Sequence, residues 1–191
     1  MARNIEIKAR LQEDQWAGME ATAARLGEGP AQLEQIDTFF QTHDGRLKLR
    51  EFGDGTAELI SYTRTNSAEP RLCRYQRFEV ENPKQLKSMM EQSLGIQCVI
   101  EKQRRFYRVD QARVHLDEVK ELGKFLEIEV VLRDEQLEEI GREIMDSLLD
   151  QFQLDSSCFE GRAYADLLME QQATENQMTG QKDDQPDRTQ D

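Results

Sequence analysis

Ionisable and apolar residues alternate along the first strand-like segment of the chain. Residues 4–10 read Asn-Ile-Glu-Ile-Lys-Ala-Arg, so a strand would place Glu6, Lys8 and Arg10 on one face. Cationic side chains can hold a polyanion such as a phosphate chain, and carboxylates can hold a divalent metal ion. A strand with both charge types on one face therefore points to a pocket for a polyanion and a metal.

The same alternation occurs in three later segments, where like charges stand two residues apart: Lys48 and Arg50, Lys102 and Arg104, Glu127 and Glu129. Each pair taken alone is typical of a solvent-exposed sheet face. Like charges side by side on one strand are unfavourable, however, unless a ligand lies between them. The charged faces therefore have two interpretations, a solvated outer surface or the lining of a binding site.

Composition limits the classes of partner. The 191 residues include 38 acidic and 25 basic residues, a net charge of −13, which argues against a broad nucleic-acid-binding surface. Cys73, Cys98 and Cys158 are widely spaced, which favours reduced thiols over a disulfide framework or a zinc site. The chain has neither an apolar run of about 18 residues nor a signal-peptide core. These features predict a cytoplasmic protein without a membrane partner.

The charged pairs require strands to position them, and hydrophobic periodicity with turn residues supplies eight. The predicted strands are 3–11, 32–40, 45–52, 56–65, 71–80, 97–109, 113–119 and 124–132, and the predicted helices are 13–27, 83–94, 134–152 and 164–170. We expect an α+β fold, an eight-stranded antiparallel β-barrel with helices packed outside. Residues 1–170 form one predicted domain, and the polar residues 171–191 form a predicted disordered tail.

The order of these motifs resembles one known family. Residues 5–8 resemble the Glu-x-Glu-x-Lys strand that opens the CYTH family, also called triphosphate tunnel metalloenzymes. Residues 35–40 and 46–51 are similar to its second and third strands, and residues 100–105 to its Lys-x-Arg strand. Residues 116–129 resemble its closing Asp and Glu-x-Glu pair, and residues 164–168 its C-terminal helix. The resemblance is greatest to class IV adenylate cyclases and stand-alone triphosphatases.

The resemblance implies a tunnel that binds a triphosphate-bearing small molecule together with Mg²⁺ or Mn²⁺. Its metal ligands would be Glu6, Asp117, Glu127 and Glu129. Its phosphate-binding residues would be Lys8, Arg10, Lys48, Arg50, Arg64, Lys102 and Arg104. Catalysis would depend on Lys8, Glu6, Glu127 and Glu129. The chain departs from the family pattern at Asn4, where the first glutamate of the opening strand is expected.

Three functions stay open at this point. The first is hydrolysis of tripolyphosphate or an organic triphosphate, and the second is cyclisation of ATP to cyclic AMP and pyrophosphate. The third is a non-catalytic polyphosphate or nucleotide-binding module, since Asn4 brings no charge to a metal site. His43 and His115 are further candidates for acid–base chemistry. We expect a monomer or a homodimer.

Overall fold

The strands form one closed antiparallel barrel, in the spatial order β1-β5-β4-β3-β2-β6-β7-β8. The computed structural model describes residues 1–180. The strands are β1 (Ala2–Leu11), β2 (Glu28–Phe40), β3 (Arg46–Phe52), β4 (Ala57–Thr63), β5 (Arg71–Glu79), β6 (Ile96–Val109), β7 (Ala112–Val119) and β8 (Gly123–Leu132). The predicted eight-stranded barrel is confirmed.

The N-terminal strand closes the barrel, because β1 pairs with β5 on one side and with β8 on the other. In this register Glu6 lies opposite Arg71 of β5 and Glu129 of β8. Side chains alternate across a strand, and the apolar set on β1, including Ile5 and Ile7, is buried under the helices outside. The charged set of β1 therefore faces the barrel interior.

Four α-helices cover the barrel among the described residues: α1 (Trp16–Leu26), α2 (Pro83–Leu94), α3 (Glu138–Phe152) and α4 (Tyr164–Gly180). Helices α1 and α3 pack on the outer apolar faces of β1, β7 and β8. Gly141 allows α3 to lie close, since a Cβ there would stand 2.5 Å from the Leu132 side chain. No helix in the described part of the chain is long and apolar enough to span a membrane.

The three largest differences from the predicted element boundaries are in α3, β2 and α4. Helix α3 begins at Glu138 instead of Asp134, because Glu135 adopts a positive φ of 61° that interrupts helical geometry. Strand β2 begins four residues before Gln32, and a bulge accommodates the added segment. Helix α4 continues past Glu170 to Gly180, so residues 171–180 of the predicted disordered tail are helical. Gln, Ala, Glu and Met favour a helix there, and residues 181–191 lie outside the described part.

Candidate functional site

The barrel interior contains a charged cavity of about 350 Å³. The charged strand faces line this cavity, so they form the wall of a candidate binding site and not a solvated outer surface. The predicted site residues that line it are Glu6, Lys8, Lys48, Arg50, Arg64, Lys102, Arg104, Glu127 and Glu129. Apolar residues Leu33, Phe52 and Phe106 line it as well.

One buried aspartate holds the first pair of cations. The Lys48 ammonium lies 2.8 Å from Asp37 Oδ2, and the Arg50 guanidinium binds both carboxylate oxygens at 2.7 Å. Asp37 and Arg50 are partners in the β2–β3 register, so the strand pairing itself brings them together. Burial alone would raise the pKa of Asp37, but the charges of Arg50 and Lys48 hold that pKa well below its ordinary value.

A second buried aspartate holds the other pair in the same way. Arg104 donates to both oxygens of Asp117 at 2.6 Å, and Lys102 lies 3.1 Å from Oδ2. The Tyr164 hydroxyl of α4 donates to the same oxygen at 3.0 Å. Burial and then the charge of Arg104 lower the pKa of Lys102 to about 7. The oxygens of Asp117 are thus occupied by cations, and the residue lies behind the cavity wall.

The charged residues of β1, which lies between β5 and β8, line another wall of the cavity. Glu6 Oε1 lies 3.0 Å from Arg64 Nε and 3.1 Å from Arg71 Nη2. Burial and the neighbouring charge of Glu127 raise the pKa of Glu6. The Lys8 ammonium donates to the backbone carbonyl of Arg162 at 3.0 Å. Burial lowers the pKa of Lys8 to about 8.

Lys8 also packs against an aromatic ring. Its ammonium lies 4.0 Å from the centre of the Tyr164 ring, within the range of a cation–π interaction. The Lys102 ammonium lies 5.1 Å from the same ring centre. Tyr164 therefore links α4 to a lysine from each of two strands, β1 and β6.

Three side chains converge where β7 and β8 pair. One potential ligand atom from each of His115, Glu127 and Glu129 lies within 4.8 Å of the others. Burial and then the charge of Arg104 lower the pKa of His115, which favours the neutral imidazole. The His115 Nδ1 atom is buried without a hydrogen-bond partner, and so is Oδ1 of Asn4 in the same cavity. Glu127 Oε2 accepts a hydrogen bond from Arg104 Nη2 at 2.9 Å. The carboxylates of Glu127 and Glu129, together with the unpartnered His115 nitrogen and Asn4 oxygen, are donor types that could hold a divalent cation.

Two predicted site residues lie away from this cavity lining. Arg10 donates to the Leu122 carbonyl at 2.7 Å, and its guanidinium stands 4.6 Å from the centre of the Phe125 ring. Arg10 lies on the inward face of β1 but beyond Lys8 along the strand, where it donates a hydrogen bond to the β7–β8 turn. Asp117 is the second, placed behind Lys102 and Arg104 as described above.

The sequence pattern assigns no role to Asp37, Arg71 or Tyr164, and it marks His115 only as a candidate for acid–base chemistry. The sequence does contain a pattern that predicts a role for Asp37. A hairpin turn separates Asp37 from Lys48 and Arg50, so two antiparallel strands would place the aspartate next to this pair. Arg71 begins β5 and carried no pattern of its own. The position of Tyr164 depends on how α4 docks at the barrel end, which local sequence does not encode.

These features define a class: a closed β-tunnel lined by paired cations, with a carboxylate–imidazole cluster that could hold a metal ion. A family model, the CYTH domain, matches residues 2–161, and the chain belongs to this family of triphosphate tunnel metalloenzymes. No curated protein sequence matches the chain significantly.

Several solved structures share the fold. PH1012 from Pyrococcus horikoshii OT3 is 21% identical with a TM-score of 0.76, covering 86% of this chain and 98% of its own. A candidate adenylate cyclase from Vibrio parahaemolyticus is 22% identical with a TM-score of 0.69, covering 87% and 97%. HpAC1 from Hippeastrum, a candidate adenylyl cyclase with a dominant triphosphatase activity, is 16% identical with a TM-score of 0.60, covering 85% and 91%.

Asn4 supplies a test of the metal position. It is 3% exposed and its Oδ1 atom is unpartnered. We expect Asn4→Glu to bind Mn²⁺ or Mg²⁺ more tightly, because an added carboxylate attracts a divalent cation. Without metal, the added bulk and like charge near Glu6 should lower the free energy of unfolding by about 1–3 kcal/mol. Metal titration calorimetry and urea unfolding in EDTA measure both effects.

Asn4→Gln is the matched control, because it adds the same methylene without a charge. Its metal affinity should stay at the wild-type value. Unchanged metal affinity and unchanged metal-free stability in Asn4→Glu would place residue 4 outside the metal site.

Proposed function

We propose that this protein is a metal-dependent triphosphatase acting on tripolyphosphate or an organic triphosphate. The observation that carries the proposal is the pairing of two aspartate-held cation sets, Lys48 with Arg50 and Lys102 with Arg104, in one cavity with the acidic cluster. Phosphoryl transfer asks a protein chiefly for positioning and for stabilisation of charge. Family membership supports the same class of reaction.

The cations would bind and orient the phosphate chain. Arg50 and Arg104 each bind an aspartate through Nε and Nη2, and their remaining guanidinium N–H groups would donate to phosphate oxygens. Asp37 and Asp117 fix the direction of these groups in advance, so little conformational entropy is lost when the anion enters.

Glu127, Glu129 and His115 would hold the divalent cation, which supplies charge neutralisation to the phosphate chain. Lys8 is the proposed proton acceptor for the attacking water. Its pKa of about 8 leaves a fraction of the amine neutral at pH 7, and catalytic lysines are typically tuned into this range. Hydrolysis then adds water across one P–O–P linkage and releases two phosphate products.

A second candidate, cyclisation of ATP, is supported by the apolar part of the cavity. Leu33, Phe52 and Phe106 line it beside the buried amide of Gln35, whose Oε1 atom has no partner. An aromatic and apolar wall with one amide suits a heterocyclic group better than it suits free tripolyphosphate. In this reaction the ribose 3′-hydroxyl replaces water as the nucleophile, and pyrophosphate leaves.

One assay separates these functions. Purified protein is incubated with tripolyphosphate, ATP or thiamine triphosphate, with Mg²⁺ or Mn²⁺, and orthophosphate, pyrophosphate and cyclic AMP are measured. Orthophosphate formation is the expected result. Cyclic AMP with pyrophosphate would favour the cyclase, and binding without any product would favour a non-catalytic module.

The phosphate-binding role of the cations is tested by Arg50→Ala. We expect it to weaken tripolyphosphate binding by about 1.5–3 kcal/mol, the usual contribution of a hydrogen bond to a charged group. Calorimetry in the absence of metal measures this directly. Lys120→Ala is the control, because this side chain is 61% exposed on the outer surface and should change binding little. Equal affinities for the two variants would contradict a phosphate-binding role for Arg50.

A further inference from the structure

One buried nitrogen atom in the cluster of His115, Glu127 and Glu129 has no hydrogen-bond partner. His115 is 4% exposed, and its Nδ1 atom makes no hydrogen bond. The nearest carboxylate oxygens are Glu127 Oε2 at 3.6 Å and Glu129 Oε1 at 3.9 Å, both beyond hydrogen-bond distance. Buried polar atoms are almost always satisfied, so this nitrogen is expected to have a partner such as a water molecule or an ion.

The fold fixes the direction of this atom. His115 lies opposite Glu127 in the β7–β8 register and opposite Phe106 in the β6–β7 register. Its ring packs against the Phe106 ring, with 5.6 Å between the ring centres. The imidazole is thus held by packing on one side while Nδ1 points toward the two carboxylates. One ligand atom from each of the three residues lies within 4.8 Å of the others, a spacing that one ion could bridge, and Glu127 Oε2 also accepts a hydrogen bond from Arg104 Nη2 at 2.9 Å.

We infer that His115 is a nitrogen ligand of the metal, and that this ligand makes the site select Mn²⁺ over Mg²⁺. The inference rests on the metal-binding part of the proposed function and specifies which ion is bound. Mg²⁺ takes oxygen ligands and gives up its water shell reluctantly, whereas affinity for nitrogen donors rises along the transition-metal series from Mn²⁺. One imidazole among carboxylates therefore improves the site for Mn²⁺ more than for Mg²⁺.

The alternative role for His115 is structural, as a ring that fills the space between Phe106 and the carboxylates. That role requires only shape, so it predicts no nitrogen bond to a bound metal and no effect on metal preference. The two roles therefore differ in measurements that do not involve turnover.

Paramagnetic resonance tests the inference without an activity assay. The chain contains two histidines, His43 and His115, so ¹⁵N labelling of histidine alone marks only these two side chains. His43 is a surface residue, with a side chain 98% exposed. With Mn²⁺ bound, pulsed electron paramagnetic resonance should show direct coupling to a ¹⁵N-histidine nucleus in the wild type and in His43→Asn.

The matched variant is His115→Asn, whose amide oxygen replaces the ring nitrogen near the same position. It should bind Mn²⁺ without histidine coupling. Because even partners of metal ligands change metal affinity by about 10–100-fold, we expect the ratio of Mn²⁺ to Mg²⁺ affinity to fall by about tenfold or more, and His43→Asn to keep the wild-type ratio.

The outcomes separate this inference from the proposed function. Mn²⁺ bound to the wild type without histidine coupling would overturn the inference and leave the metal-dependent triphosphatase standing. Failure of the wild type to bind any divalent cation would overturn both. The wild-type spectrum decides the matter even if His115→Asn does not fold.

Discussion

We expect the double replacement of Glu127 and Glu129 by glutamine to lower metal-dependent turnover by about a thousandfold or more. Polarisation by a bound metal contributes several kcal/mol to a transition state, and each 1.4 kcal/mol is a factor of about ten in rate. Two of the three converging donors lose their charge in this variant. The barrel should stay folded, because Arg104 keeps both of its bonds to Asp117.

Two measurements accompany the rate. Calorimetry should show the loss of Mn²⁺ binding. Thermal unfolding in EDTA should show lower stability than the wild type, because Glu127 is a buried counter-charge of Arg104 at 2.9 Å. The control is Glu118→Gln with Glu121→Gln, two exposed residues of the same region. A double Glu127/Glu129 variant with full activity and the same metal requirement would show that these residues do not hold the metal.

We expect Asp117→Asn to lower the free energy of unfolding by about 3–5 kcal/mol, the usual effect of removing one partner from a buried ion pair. The substitution keeps the shape of the side chain but leaves Lys102 and Arg104 buried without their shared counter-charge. Urea unfolding at pH 7 measures this. Glu101→Gln breaks an exposed pair with Lys120 and should cost under about 1 kcal/mol.

The pH dependence provides an independent check on Asp117. Although burial alone would raise its pKa, Arg104 and Lys102 hold the folded-state value below the ordinary 3.8. The stabilising contribution of the carboxylate is therefore fully present above pH 3.8 and is lost as the pH falls through the lower folded-state value. Asp117→Asn should remove that part of the acid dependence. Equal stability of wild type and variant at neutral pH would contradict the assigned role.

Period-two alternation was enough to predict the inward set on several strands. Ile5 and Ile7 needed a helix-covered face, so Glu6 and Lys8 had to point the other way. The same reasoning placed Lys48 with Arg50 and Glu127 with Glu129. Closure into a barrel followed from the number of strands and the resemblance to the CYTH family, since no local pattern states that β1 meets β8.

Period-two alternation does not predict where a side chain lies along the barrel axis. Arg10 lies on the predicted face of its strand but past Lys8 along the barrel axis. Its contacts with Phe125 and Leu122, which show that position, are visible only in the structure. Asp117 also faces inward, yet the β6–β7 register sets it opposite Arg104. Registers depend on turn geometry and on cross-strand neighbours, which sequence spacing does not specify.

The closure of the barrel by β1 has a consequence for synthesis of the chain. Glu6 of β1 pairs with Glu129 of β8. Strand β1 can therefore pair with both of its neighbours, β5 and β8, only after almost the whole barrel has been synthesised. Until then β1 is an unpaired edge of the kind that invites association between chains. Its buried charges, Glu6 and Lys8, oppose such association because they would be stranded in any stacked sheet. Two charged residues that line the finished tunnel are thus also expected to disfavour association of the nascent chain through this edge.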